Sequence, residues 1–152
     1  MQIVLAEEWL NRAQDLPLRS PYEGLILASI VEKETGLAEE RPRIAGVFSR
    51  RLAKGMLLQT DPTVIYGMGE AYAGNIRSED LLRDTPFNTY VHPGLPPTPI
   101  SMPGLGALRA ALHPDAGDSL YFVARGGGGH VFSKTLAEHN KAVDQFQKNR
   151  HE

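Results

Sequence analysis

Between Pro86 and Pro103 the chain places six of its eleven prolines: Pro86, Pro93, Pro96, Pro97, Pro99 and Pro103. Each fixes φ and removes a backbone donor, so neither a long helix nor a central strand can cross this stretch. It must run as an extended, stiff loop. One reading of such a loop is a linker between domains. Too little chain follows it for a second large domain, however, and a long loop inside a compact domain is more often functional.

Regular elements are expected on both sides. The clearest is a helix over residues 21–35. Ser20, Pro21 and Glu23 supply an N-cap, a first-turn proline and the acidic arm of a capping box, and Gly36 stands where a left-handed C-cap belongs. A second helix over residues 42–54 would bury Ile44, Val47, Phe48 and Leu52 and end at Gly55. Asp61 as N-cap, followed by Pro62, opens a short third helix to Tyr66. Beyond the loop, residues 105–112 and 136–147 read as helices. Residues 119–124 read as a strand that Gly126 to Gly129 turn back into His130-Val131-Phe132-Ser133, a hairpin. The expected class is α+β: a single helix-dominated domain over residues 1–152 with a small antiparallel sheet, residues 1–20 forming a lead-in.

Composition narrows the function. With 41% apolar residues, 22% charged residues and a formal charge of −2, the chain is neither disordered nor basic enough to suggest a nucleic-acid partner. The cluster Arg41, Arg43, Arg50, Arg51 and Lys54 reads as one solvated helix face. No cysteine is present, which excludes disulfides, thiolate zinc sites and cysteine nucleophiles. No apolar run approaches the roughly 20 residues that span a bilayer. The start, MQIVLAEEWLNRAQ, lacks the basic and long apolar regions of a signal peptide, so any targeting segment would lie outside this sequence.

One residue breaks the pattern of the first helix. Ile26, Leu27, Ile30 and Val31 share an apolar face, and Glu34 projects onto its centre. Glu32 points the other way with Ser29 and Lys33, as a solvated residue, so the two glutamates cannot cooperate on a regular helix. Desolvation and the helix dipole both disfavour an ionised Glu34. A carboxyl held protonated near neutral pH is what a general acid needs to protonate a glycosidic oxygen. A helix-end glutamate that bends out to water or to an arginine has the same sequence, so the wheel leaves both readings open.

Other motifs carry less. The run Arg125 to His130 has the glycines of a phosphate loop but neither its lysine nor a following helix. His92, His113, His130 and His139 show no zinc spacing, and Ser101 and Ser133 lie in no nucleophile elbow. Gln59, Tyr66, Asn88 and Tyr90 suit sugar binding, through ring stacking and amide hydrogen bonds.

Ala28-Ser29-Ile30-Val31-Glu32-Lys33-Glu34-Thr35 and the run Leu58-Gln59-Thr60-Asp61-Pro62-Thr63-Val64-Ile65-Tyr66-Gly67 resemble signatures of the YceG-like family, the endolytic murein transglycosylases. So do Tyr72-Ala73-Gly74-Asn75, Pro86-Phe87-Asn88-Thr89-Tyr90, Gly94-Leu95-Pro96-Pro97, His113-Pro114, Leu120-Tyr121-Phe122-Val123 and Gly128-Gly129-His130-Val131-Phe132. The likeness runs in order from about Leu25 to Gln147. It implies cleavage of the β-1,4 bond between N-acetylmuramic acid and N-acetylglucosamine in nascent peptidoglycan, leaving 1,6-anhydro ends and ending strand elongation. It also implies Glu34 as the catalytic residue and no metal or cofactor; Gln59, Tyr66, Asn88, Tyr90 and His130, by residue type, are expected to converge on Glu34 as substrate contacts. The resemblance further implies an inner-membrane anchor and an extracytoplasmic region that this sequence lacks, a periplasmic site of action and cell-wall synthases as partners. A hydrolytic muramidase on the same scaffold, with Asp61 as its second carboxylate, and a non-catalytic peptidoglycan-binding module are the alternatives.

Overall fold

A computed structural model of the protein describes residues 2–147. It is α+β as expected, with six α-helices and one two-stranded antiparallel sheet among the described residues. The helices are α1 (Gln2–Leu10), α2 (Pro21–Glu34), α3 (Arg41–Lys54), α4 (Asp61–Met68), α5 (Leu105–Leu112) and α6 (Leu136–Gln147); strands β1 (Tyr121–Gly126) and β2 (Gly129–Ser133) precede α6. None of these helices is long and apolar enough to cross a membrane.

Helix α2 is the centre of the molecule. Ile26, Leu27, Ala28, Ile30 and Val31 are all at least nine-tenths buried, against Ala107, Leu108, Ala111 and Leu112 of α5 and Ile44, Ala45 and Phe48 of α3. Each buried Ile, Leu, Val or Phe side chain contributes about 1.5–3 kcal/mol on leaving water. Gly24 lets α2 and α5 approach closely, since a Cβ there would lie 3.1 Å from Leu112 Cδ2. Helix α1 lies across α2 and α5 and packs Leu5 and Trp9 against the core; the sequence suggested only a lead-in here.

The ends of α2 differ from expectation in detail. Ser20 Oγ accepts from the Glu23 N–H at 3.2 Å, but the Glu23 carboxylate accepts from the Arg19 N–H at 2.8 Å rather than from Ser20. Gly36 does not form a left-handed cap. The helix stops at an extended, buried Thr35 (φ −148°), whose hydroxyl accepts the Leu37 N–H and starts the turn at Ala38–Glu40. Helix α3 does end on a left-handed Gly55 (φ 73°).

The proline stretch contains no helix or strand, and the side of α2 read as solvated is what anchors it. Ser29 is fully buried: its hydroxyl accepts the Ile100 N–H (3.0 Å) and donates to the Ile26 carbonyl (2.6 Å), while Ser101 Oγ donates to the Ser29 carbonyl (3.0 Å). Glu32 is half-buried and accepts the Gly104 N–H at 2.6 Å, satisfying a donor at the start of α5. The loop therefore docks on polar groups that an amphipathic reading assigns to water.

Two further expectations need correction. Asp61 is the first residue of α4, not its cap; Thr60 occupies the cap position without a side-chain cap bond. The basic cluster is not one solvated face. Arg51 is buried and donates to the carbonyls of Leu120 and Leu57, both at 2.7 Å. Arg50 bonds Ser119 O and Asp115, and Arg43 lies 4.0 Å over the Phe132 ring. These contacts tie α3 to the hairpin. In the hairpin, Tyr121 pairs with Ser133 and Ala124 with His130, and three consecutive glycines, Gly126 to Gly128, take positive φ at its tip. Helix α6 packs back over both strands.

Ser29→Ala tests the anchoring. It leaves the buried Ile100 N–H unsatisfied and should lower stability by about 1–3 kcal/mol. In urea unfolding the midpoint should fall at constant slope. The half-buried Ser101→Ala should cost less, because water can replace its hydroxyl; equal, negligible losses in both would contradict this picture.

Candidate active site

The last turn of α2, the middle of α3, the segment 58–62, Tyr90, the hairpin and α6 line a cleft of about 800 Å³. That is ample for sugar rings. Glu34 is part of this lining, half-buried as a residue, and its Oε1 accepts a 2.5 Å hydrogen bond from Thr60 Oγ1. Desolvation holds its pKa above the ordinary carboxylate value. The Thr60 bond opposes that shift, the Asp61 charge reinforces it, and His130 pulls down more weakly. The net direction is toward a protonated acid.

Thr60 is held rigidly. Its N–H donates to Thr89 Oγ1 (3.0 Å), its carbonyl accepts from Thr63 Oγ1 (2.9 Å), and the Gln59 N–H donates to the Thr89 carbonyl (3.2 Å). Thr60, Thr63 and Thr89 are all at most 2% exposed, so this cluster excludes water from the bonds that set the position of the Glu34 partner. Gln59, just before it, takes a left-handed backbone (φ 51°) rare for a residue with a Cβ, and lines the cleft. Such strain costs roughly 1–3 kcal/mol and concentrates at functional sites.

The structure brings Gln59, Tyr90 and His130 into the cleft with Glu34. It does not bring Asn88 or Tyr66 there. Asn88 is 1% exposed; its amide nitrogen donates to the carbonyls of Leu81 (3.0 Å) and Arg83 (2.7 Å), and its oxygen accepts the Tyr90 N–H (2.9 Å). Its bonding capacity is used in shaping the loop that presents Tyr90. Tyr66 packs its ring on Phe87, 4.9 Å between centroids, and lies outside the lining. Asp61 does line the cleft, and its Oδ1 accepts a 2.6 Å bond from the Tyr90 hydroxyl. Burial and this acceptor push the Tyr90 phenol well above its usual pKa, so it stays a donor.

His130 is held by a residue the sequence did not single out. Glu40, 6% exposed, accepts the His130 N–H on Oε2 (3.1 Å) and pairs with Nδ1 through Oε1 (3.0 Å). Burial alone would raise the Glu40 pKa, but the two bonds and charge of His130, with Arg125, bring it below the usual carboxylate value. An ionised carboxylate only accepts, so Nδ1 carries the proton and Nε2 is the nitrogen left for a ligand. Arg51, Tyr121 and His139 of the lining were also missed. For Arg51 the signal was present: it follows Val47 by four residues and Phe48 by three, on the buried stripe of α3. Among the described residues no group of three or more His, Cys, Asp or Glu side chains is placed to hold a metal ion.

Residues 1–145 match the model of a family described as YceG-like. The chain is 45% identical over 133 residues to the endolytic murein transglycosylase of Bacillus subtilis (strain 168), a match covering 88% of this chain and 37% of that protein. It is 36% identical over 126 residues to the endolytic murein transglycosylase of Streptococcus pneumoniae serotype 2 (strain D39), covering 80% and 23% respectively. A 2.6 Å crystal structure of a YceG-like protein from Listeria monocytogenes matches with a TM-score of 0.77 at 44% identity, over 93% of this chain and 43% of that one. The chain thus spans well under half the length of each of these relatives.

The raised Glu34 pKa makes a stability prediction. An acid whose folded-state pKa is raised contributes stability below its unfolded value, near 4.5, and loses it as pH rises through the folded value. Glu34→Gln keeps the Thr60 acceptor and removes this penalty. It should match the parent protein near pH 4 and have the higher thermal midpoint at pH 8. The acid-side loss of the Glu40 contribution is common to both proteins and cancels. A difference that is flat with pH, or a less stable variant at pH 8, would count against a desolvated Glu34.

Proposed function

The chain belongs to the YceG-like family, and we propose that it is the catalytic domain of a peptidoglycan lytic transglycosylase that cuts inside glycan strands. The observation that carries this reading is Glu34, an enclosed carboxyl with a raised pKa, hydrogen-bonded to a rigid threonine in a cleft of sugar-ring size. Its relatives of 45% and 36% identity, named as endolytic murein transglycosylases, support the same substrate. In this reading the parent protein is anchored in the inner membrane, its catalytic region acts in the periplasm beside cell-wall synthases, and its cuts end strand elongation.

The finer proposal is scission of the β-1,4 bond between N-acetylmuramic acid and N-acetylglucosamine with one acid. Thr60 donates to Oε1, so the acidic proton of Glu34 resides on Oε2. Glu34 gives that proton to the glycosidic oxygen as the C1–O bond breaks. As a carboxylate it then takes the proton of the muramic acid C6 hydroxyl, whose oxygen closes on C1 to form the 1,6-anhydro ring. Ring closure is intramolecular, so its high effective molarity favours it over attack by water. Two-carboxylate glycosidases instead use a second carboxylate for a nucleophile or for water. Gln59, Tyr90 and His130 are proposed to contact the sugars, with Asn88 acting through Tyr90.

One observation favours the hydrolytic alternative. Asp61 is not occupied as a helix cap and shares the cleft with Glu34. Its hydrogen bond from Tyr90 (2.6 Å) is the reason to read it as an anchor for that ring rather than as a base.

The two readings separate on digestion of peptidoglycan in heavy-oxygen water. Ring closure gives unlabelled ends lighter by one water, whereas labelled reducing ends as main product would promote the muramidase. Glu34→Gln should lose about 10²–10⁴-fold in rate while remaining folded. Asp61→Asn, which still accepts from Tyr90, should stay within about tenfold of the parent; a loss as large as that of Glu34→Gln would make Asp61 the second catalytic carboxylate.

A further inference from the structure

Arg51 is a buried cation without a counter-ion. It is 7% exposed, its Nε and Nη1 are bonded to two carbonyls, and no carboxylate pairs with it among the described residues. Arg50, one residue earlier, has Asp115 at 3.1 Å. Carbonyl oxygens satisfy donors without cancelling charge, and buried charges are ordinarily paired. Arg51 nevertheless lines the same cleft as Glu34.

Its surroundings extend the anomaly. The guanidinium lies 4.9 Å from the Tyr121 ring centroid, and the His139 ring stacks on Tyr121 at 5.0 Å and 22°. His139 Nδ1 is buried with no hydrogen-bond partner, and the next residue, Asn140, is an exposed amide in the cleft lining. The two carboxylates of the lining already have partners, Glu34 in Thr60 and Asp61 in Tyr90. This end of the cleft thus holds an unbalanced positive charge, an unsatisfied ring nitrogen and a free amide, none of which the scission chemistry uses.

We infer that the α3–β1–α6 end of the cleft is a carboxylate-binding subsite, anchored by Arg51 with His139 and Asn140 beside it. The inference rests on the proposed substrate and adds to it: the protein recognises the acidic groups borne by the glycan as well as its sugar rings. Two sources have that chemistry, the free carboxyls of peptide stems and the lactyl carboxylate exposed where a stem has been removed.

The test is equilibrium binding of murein glycan strands to Glu34→Gln protein, which leaves the strands intact. Strands with their stems, and strands stripped of stems by an amidase, are each compared with the same strands after chemical amidation of their carboxyls. Amidation should weaken binding about tenfold, the loss of one charge-assisted interaction. Adding Arg51→Gln should cost the same factor on untreated strands and make amidation indifferent. Tight binding of stripped strands assigns the subsite to the lactyl carboxylate, and weak binding assigns it to the stems. If amidation changes the affinity of neither the stemmed nor the stripped strands, the subsite is overturned whether or not the arginine variant folds, and the proposed cleavage is left intact. Absence of binding to any strand overturns the proposed substrate as well.

Discussion

A helix buried on nearly every side must have a partner for each polar group it carries, and α2 organises the molecule by where those partners lie. Its apolar face meets α3 and α5, as in any helical core. Its other groups find partners far away in sequence: Ser29 at Ile100, Glu32 at Gly104, and Glu34 at Thr60. The first two pin the far end of the proline stretch, and Thr89, near its start, pins Thr60. One loop, stiffened by its own composition, is thus fixed at its far end by the helix whose last residue its near end, through Thr60, helps to place. The geometry of the candidate site and the packing geometry share these bonds.

The electrostatics of the cleft follow from that arrangement. An unpaired buried carboxyl is costly when ionised, and the cheapest response is to keep its proton. Thr60 offsets part of the cost with a hydrogen bond and Asp61 adds to it, and the net effect still favours a protonated Glu34. Glu40 shows the opposite outcome in a similarly buried position. The two bonds and the charge of His130, with the charge of Arg125, reverse the effect of burial and keep it ionised. The number and kind of donors and nearby charges decide which of the two glutamates holds a proton.

Much of this was legible in the sequence. Helix α2, the Gly55 cap, the glycine-tipped hairpin and the place of Glu34 on the apolar face all come from local rules of period, capping and backbone freedom. What was not legible depends on contacts across long separations. Ser29 looked solvated because the loop that covers it lies some seventy residues away. Asp61 looked like a cap because Asp-Pro is a common helix start, whereas its bond to Tyr90 belongs to the tertiary structure. For Asn88 and Tyr66, residue type suggested sugar contacts, but type cannot say which side of a loop faces the cleft. Arg51 is the instructive case: its helical position indicated burial, and its charge argued the other way.

The central claim is that the fold keeps Glu34 protonated where an acid is needed. Carbon-13 NMR titration of the Glu34 side-chain carboxyl, assigned by comparison with Glu34→Gln, measures this without substrate. A midpoint above the ordinary value of 4.5 is expected, rising further in Thr60→Val, where the opposing hydrogen bond is removed. A midpoint at or below 4.5, or one that falls in Thr60→Val, would contradict it.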